Sequence, residues 1–255
     1  MSLGSWWNRR DRAPRPERGF LPEWRGILAV RVRHWGRLSD DERSRLEDVA
    51  HGLMLHKGWE ASRGFELTDE MVVTIAGQAA LLVLELPDDS YRRVRNILVH
   101  PSTVILRGEH SHVPGIVSDD PTPVLGEAHY DGQVLIAWDA ALRDTRRPGS
   151  GHNVVLHEFA HQLDMIDGTV DGTPPLESRD QYERWVRVCT DVYDRVAAGV
   201  GGSVLDEYAG VNPGEFFAVA TEVFFDAPLA LRDEHPDLYE VLSDYYRQDT
   251  AARAE

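Results

Sequence analysis

Cysteine is nearly absent from this 255-residue chain. The one residue, Cys189, has no second cysteine to bond with, which excludes a secreted fold held by a disulfide framework. Lysine is as scarce: Lys57 stands alone among 27 basic residues, a bias of composition rather than of chemistry. Basic charge as a whole is in deficit, 27 residues against 43 acidic ones, for a formal net charge of −16. A surface of that sign lacks the basic footprint that nucleic acid requires, so no direct nucleic acid binding is expected. Long hydrophobic runs are missing too. The longest, residues 71–86, is broken by Thr74, Gly77, Gln78 and Glu85 and falls short of the ~20 residues a membrane span needs. The opening ten residues end in two arginines without an apolar core of signal-peptide length. These features predict a soluble, cytoplasmic protein without membrane contact.

What is present fits an ordinary globular chain. Apolar residues make up 42% and charged residues 27%, and the length suffices to bury a sizeable core. Residues 1–37 carry nine arginines against Asp11, Glu17 and Glu23, with Pro14, Pro16 and Pro22 among them. That composition predicts a basic, flexible N-terminal arm, with a basic arm docked on an acidic surface as the alternative. Residues 38–250 read as a single α+β domain and 251–255 as a short tail. Ser39-Asp40-Asp41-Glu42 has the form of a capping box, followed by apolar residues on one face as far as Met54 and by Gly58 as a stop. A second helix is predicted from Thr68 through the apolar 71–84 stretch. Short β-rich runs follow at 96–100, 103–106 and 133–138, split by prolines and by Asp131-Gly132. They predict a small, mostly antiparallel sheet. Helical periodicity then covers 153–164, 179–198, 213–226 and 236–247.

Residues 154–164 carry the chemistry. In Val-Val-Leu-His-Glu-Phe-Ala-His-Gln-Leu-Asp, His157 and His161 are four apart, which on a helix places both rings on one face about 5–6 Å apart. That spacing lets two imidazoles share one zinc at ~2.0–2.1 Å, with Glu158 beside them to act on a zinc-bound water. The surrounding helix is strongly apolar, where two histidines and a glutamate are costly without partners. A metal is therefore favoured over two core histidines.

A third ligand is required. Asp167 stands where a metzincin-type motif would place its last ligand, but Asp164 occupies the position of the glycine such a chain needs to turn. The alternative is a glutamate on a later helix, and Glu215 and Glu222 share one face two turns apart. Glu215 sits in the first turn, just after Pro213, where a helix opening can meet another helix at a cleft. Glu222 lies deeper among apolar residues and suits a partner that accepts a histidine's free N–H. Asp164 either orients a ligand or closes its helix, and His152 lines the entrance rather than binding metal. Residues 134–138 fit either an edge strand that pairs with an extended peptide or a buried central strand. Glu109, His110 and His112 fit a surface loop better than a second metal site.

The run from His157 to Asp164, then Tyr208-Ala209, Asn212 to Val219, and Glu222 to Pro228 resembles the Mlc titration factor A family of zinc-dependent peptidases. The likeness extends over most of residues 40–247 and leaves the N-terminal arm outside it. The Tyr208-to-Glu215 spacing also resembles lethal-factor-type gluzincins. The resemblance implies a zincin-like metalloprotease domain, its small sheet packed with an active-site helix and a C-terminal helical part. It implies one Zn2+ per chain on His157, His161 and Glu215, Glu158 as general base and Tyr208 as helper to the oxyanion. The implied activity is hydrolysis of peptide bonds, of an aminopeptidase-like kind, on a peptide or protein substrate. The same resemblance admits a second role, a regulatory protein that sequesters a transcriptional repressor of the Mlc type.

Overall fold

The computed structural model describes residues 19–62, 64–102, 104–105, 123–124, 126–129, 132–200 and 204–255. Residues 19–37, expected in a flexible arm, are built into the fold. Pro22 at the first position opens α1 (Pro22–Arg31), and a short 3-10 turn follows at Arg33–Arg37. Trp24, Leu28, Val32 and His34 are buried. The excess of arginine that reads as a solvated run is met by acids of the body: Arg25 pairs with Glu47 at 2.6 Å, Arg31 with Glu70 and Arg33 with Asp226. Residues 1–18 lie outside the described residues.

Ser39 caps α2 (Asp40–His56) with the reciprocal Ser39–Glu42 bonds of a capping box. A strand, β1 (Gly58–Ala61), follows directly. Thr68 caps α3 (Asp69–Leu82), whose residues from Met71 onward are all buried, as expected of a helix apolar on every side. α1 crosses α3 closely at Gly77, where a Cβ would lie 2.4 Å from Leu28 Cδ2.

The sheet corrects the expectation of antiparallel strands. β1, β2 (Asn96–His100) and β6 (Gln133–Ala137) run parallel in the order β1-β2-β6, and β5 (Gly126–His129) pairs antiparallel with β6 at the edge. A second pair, β3 (Val104–Ile105) with β4 (Pro123–Val124), is antiparallel. Gly132, directly before β6, takes the φ of +78 that a turn there requires, while Asp131 lies outside the described residues. For β1 and β2, parallel pairing follows from the crossover through α3, which carries the chain from one to the other across the sheet. β6 is buried along residues 134–137, the mark of a strand covered on both faces. It lies between β2 and β5, so the reading of an edge strand open to a peptide is overturned.

α4 (Trp138–Thr145) leads to α5 (Val154–Asp164), which packs on β6, α3 and α7 (Pro213–Asp226). α6 (Arg179–Ala197), α8 (Pro228–Glu234) and α9 (Pro236–Tyr246) complete the helical part. Between α6, α7 and α9 the rings of Trp185, Phe217, Phe224, Tyr245 and Tyr246 pack edge-on and stacked, contacts that add to their burial. The result is an α+β fold in which helix predominates. Among the described residues no helix is long and apolar enough to cross a membrane.

Candidate metal centre

The start of α5 is fixed by side chains from three places. Asn153 Oδ1 accepts the N–H groups of Val155 and Leu156, each at 3.1 Å. The N–H of Asn153 goes to Glu222 Oε2, that of Val154 to Asp144 Oδ2 at 2.9 Å, and that of Gly151 to Asp226 Oδ2 at 2.8 Å. Carboxylates suit this end of a helix, where unpaired N–H groups and the dipole are positive. Burial nevertheless pushes Asp144 up to about 6, against the Val154 N–H. Asp144 and Asp226 were not singled out from sequence. The available signal was Glu222 and Asp226 at i, i+4 on an otherwise apolar helix, one face reaching the same loop.

One turn along α5, the two imidazoles face each other edge to face, with centroids 4.8 Å apart. Glu215 reaches them from the first turn of α7, held there by Pro213 at the helix start and by its own N–H on Asn212 Oδ1 at 3.0 Å. His157 Nε2 and His161 Nε2 are 3.2 Å apart, and Glu215 Oε2 is 3.0 Å from the first and 3.4 Å from the second. Donors about 2.0–2.1 Å from one tetrahedral ion stand about 3.3 Å from each other. The triangle therefore has the dimensions of one face of such a shell, and two imidazoles with a carboxylate are a donor set that zinc takes. Among the described residues this is the one group of histidines, cysteines and acids so arranged.

The electrostatics agree with a cation. Burial alone would lower His157, but Glu222, Glu215 and Glu158 together carry it well above the ordinary histidine range. Glu215 is buried too, which would raise it, yet its bonds to His157 and His161 hold it well below the usual carboxylate range. His157 Nδ1 lies 2.6 Å from Glu222 Oε1. A proton donated along that line leaves the Nε2 lone pair aimed at Glu215 and His161. His161 Nδ1 is buried with no hydrogen-bond partner among the described residues.

Glu158 is buried beside His157, and its charge acts on both His157 and Tyr208. Tyr208 sits on a 3-10 turn, Glu207–Gly210, that Asp206 caps through the Tyr208 N–H at 2.9 Å. Its ring lies 6.0 Å from that of His157 and is 44% exposed, so it stands at the mouth of the cluster. Burial of the hydroxyl end, then the charge of Glu215, raises its pKa and keeps it protonated. His152 is at the same mouth, 3.7 Å from Asp206.

Other candidates lie elsewhere. Asp167 is exposed and accepts from the Thr169 N–H and hydroxyl at 2.9 and 2.7 Å. Asp164 is fully buried and turned to the Gly172 N–H at 3.0 Å, away from the three ligand atoms. Glu109, His110 and His112 lie outside the described residues.

Comparison with known proteins bears on the same chain. The family described as glucose-regulated metallo-peptidase M90 matches residues 5–247, which takes in most of the arm that the motif resemblance left out. An uncharacterized protein of Synechocystis sp. is 38% identical over 235 residues, 90% of this chain and 85% of its own. Mlc titration factor A of Yersinia pestis and of Yersinia pseudotuberculosis are each 32% identical over 247 residues, 95% of this chain and 90% of theirs.

Proposed function

The chain belongs to the glucose-regulated metallo-peptidase M90 family, and from that premise we propose that it is a zinc-dependent peptidase of zincin-like architecture. One ion per chain would be held by His157, His161 and Glu215, and the substrate is a peptide or protein, cleaved in an aminopeptidase-like manner. The observation that carries this reading is the triangle of 3.0, 3.2 and 3.4 Å between three ligand atoms from two helices. Zinc bound there would supply Lewis-acid polarisation of the scissile carbonyl and a lowered pKa for water.

The chain's own residues do the rest. Glu158 takes a proton from the attacking water at its carboxylate and returns it to the leaving amine, a role worth roughly 10²–10⁴ in rate. Its burial beside His157 supports that role, since a carboxylate shielded from water acts at short range on what enters the cluster. Tyr208 donates its hydroxyl to the carbonyl oxygen as negative charge grows there. The raised pKa of that hydroxyl keeps its proton in place and available to donate. Glu222 fixes the His157 ring, so that Nε2 rather than Nδ1 points into the cluster.

Metal analysis of the purified protein and of Glu158→Gln, with peptide hydrolysis measured on both, tests the assignment. One zinc per chain in each, with activity lost only in the variant, is the expected result. Full activity in Glu158→Gln would remove Glu158 as the base, and a wild-type chain with no zinc would remove the metal reading.

The name of the Yersinia relatives favours a second reading, in which this chain titrates a transcriptional repressor of the Mlc type. Capture of such a repressor by a His157→Ala variant, undiminished from wild type, would assign binding to a surface independent of the metal. Capture lost together with the metal would tie the two roles to one site.

A further inference from the structure

Asp164 is a buried ionisable group that the reaction above does not use. It closes α5 less than one turn after His161 and is shut off from solvent. Oδ2 accepts the Gly172 N–H, while Oδ1 has no hydrogen-bond partner among the described residues. A carboxyl buried with acceptor capacity unmet is costly, so a side chain of this kind needs a reason that core packing does not supply. Burial pushes its ionisation up to about 7.

The residue it grips provides the reason. Gly172 adopts φ +76, and a Cβ there would lie 2.3 Å from the carbonyl oxygen of Pro213. That oxygen belongs to the first turn of α7. Gly214 approaches from the same side: a Cβ on it would lie 2.9 Å from Val170 Cγ1 and 3.6 Å from Asp164 Oδ2. From α6, Trp185 Nε1–H donates to the Gly172 carbonyl at 3.1 Å and holds the loop from behind. The end of α5, the loop through Val170 and Gly172, and the start of α7 are thus in mutual contact. Glycine at 172 permits that approach, and at 214 a Cβ would force Val170 to shift. Glu215 is the next residue along α7.

We propose that Asp164 is a positioning residue for the metal centre: its carboxyl seats Gly172 against Pro213 and thereby sets how closely Glu215 meets His157 and His161. Two of the three ligands ride on the helix that Asp164 ends, and the third rides on the helix whose first turn the loop abuts. A shift of the loop by the width of one methyl group moves Glu215 relative to the histidines by an amount comparable with the tolerance of a zinc shell. This inference rests on the proposed metal site.

The test measures zinc affinity of the full chain by chelator competition, with circular dichroism to report folding. Asp164→Asn keeps an oxygen that can accept from Gly172, whereas Asp164→Leu keeps the branched shape, at larger volume, and removes the acceptor. The Asn variant should stay within about threefold of wild type, and the Leu variant should weaken binding roughly 10–100-fold with its helix content retained. Gly172→Ala leaves Asp164 in place and drives a methyl group at the Pro213 carbonyl. It should weaken zinc to a similar degree, and it carries the test if the Leu variant does not fold. A folded Leu variant or a folded Gly172→Ala variant with wild-type affinity would overturn the proposal, as would an Asn variant that falls as far as Leu. A wild-type chain that takes no zinc would instead overturn the metal reading on which the proposal stands, a result distinct from equal binding by wild type and variant.

Discussion

Glu222 on α7 reaches across to α5 with both carboxylate oxygens, one on His157 Nδ1 at 2.6 Å and the other on the N–H of Asn153. A single side chain therefore fixes both the ring of a candidate ligand and the residue that caps the helix carrying it. Glu222 is buried and His157 nearly so, so loss of either bond is poorly compensated by solvent.

Glu222→Gln tests that coupling. An amide oxygen can accept only one of the two bonds well, and its NH2 meets a donor at the other. Zinc affinity by chelator competition should fall roughly 10–100-fold, with the fold retained. Unchanged affinity would show that the His157 ring needs no such support.

Tyr208→Phe keeps the ring beside His157 and removes the hydroxyl. Because the ring stands at the mouth and is not among the three ligand atoms, zinc content should be unchanged. kcat for peptide hydrolysis should drop by about 10²–10³ with little change in KM. An equal loss of bound zinc would assign Tyr208 to holding the metal instead.

Acidification should loosen the fold through His34. Its Nε2–H donates to the Phe225 carbonyl at 2.6 Å inside the core, and burial lowers its pKa from 6.5 to about 4. Above pH 6.5 the ring is neutral both folded and unfolded, and its contribution is constant. Between 6.5 and 4 the unfolded chain takes up the proton first, so stability falls as pH falls, by at most about 3 kcal/mol. Denaturant titrations of wild type and His34→Gln across pH 7 to 4 give the difference directly. Parallel pH dependences in the two proteins would rule His34 out as the source.

Leu28→Ala measures how firmly α1 belongs to the body. Leu28 is fully buried where α1 crosses Gly77 of α3, so its truncation should destabilise the chain by about 2–5 kcal/mol in denaturant unfolding. A loss below about 0.5 kcal/mol, the range of surface substitutions, would mean that α1 docks too weakly to matter.

Local features were legible before any coordinates. The Ser39–Glu42 capping box, Thr68 at the head of a largely apolar helix, Pro213 at a helix start, and the i, i+4 histidines each depend on residues within one or two turns. Short-range hydrogen bonding and helical periodicity suffice to write them into the chain. The candidate chemistry of His157, Glu158 and His161 is of this kind.

What the tertiary structure decided lies at longer range. Strands 58–61 and 96–100 look alike whether they pair parallel or antiparallel until the crossover through α3 joins them, and strand 133–137 reads as edge or central until β2 and β5 stand on either side of it. The arginines of residues 25–33 look solvated until Glu47, Glu70 and Asp226 stand opposite them. Glu215 and Glu222 share a helix face in the sequence, but which one meets both Nε2 atoms and which one meets Nδ1 depends on how α7 is set against α5. Asp144 carries no local signature, and nothing local tells which backbone N–H Asp164 or Asp226 meets, because each acts on a group that the fold brings to it. Sequence periodicity determines which face a residue occupies. Only the packing of one helix on another determines what that face meets.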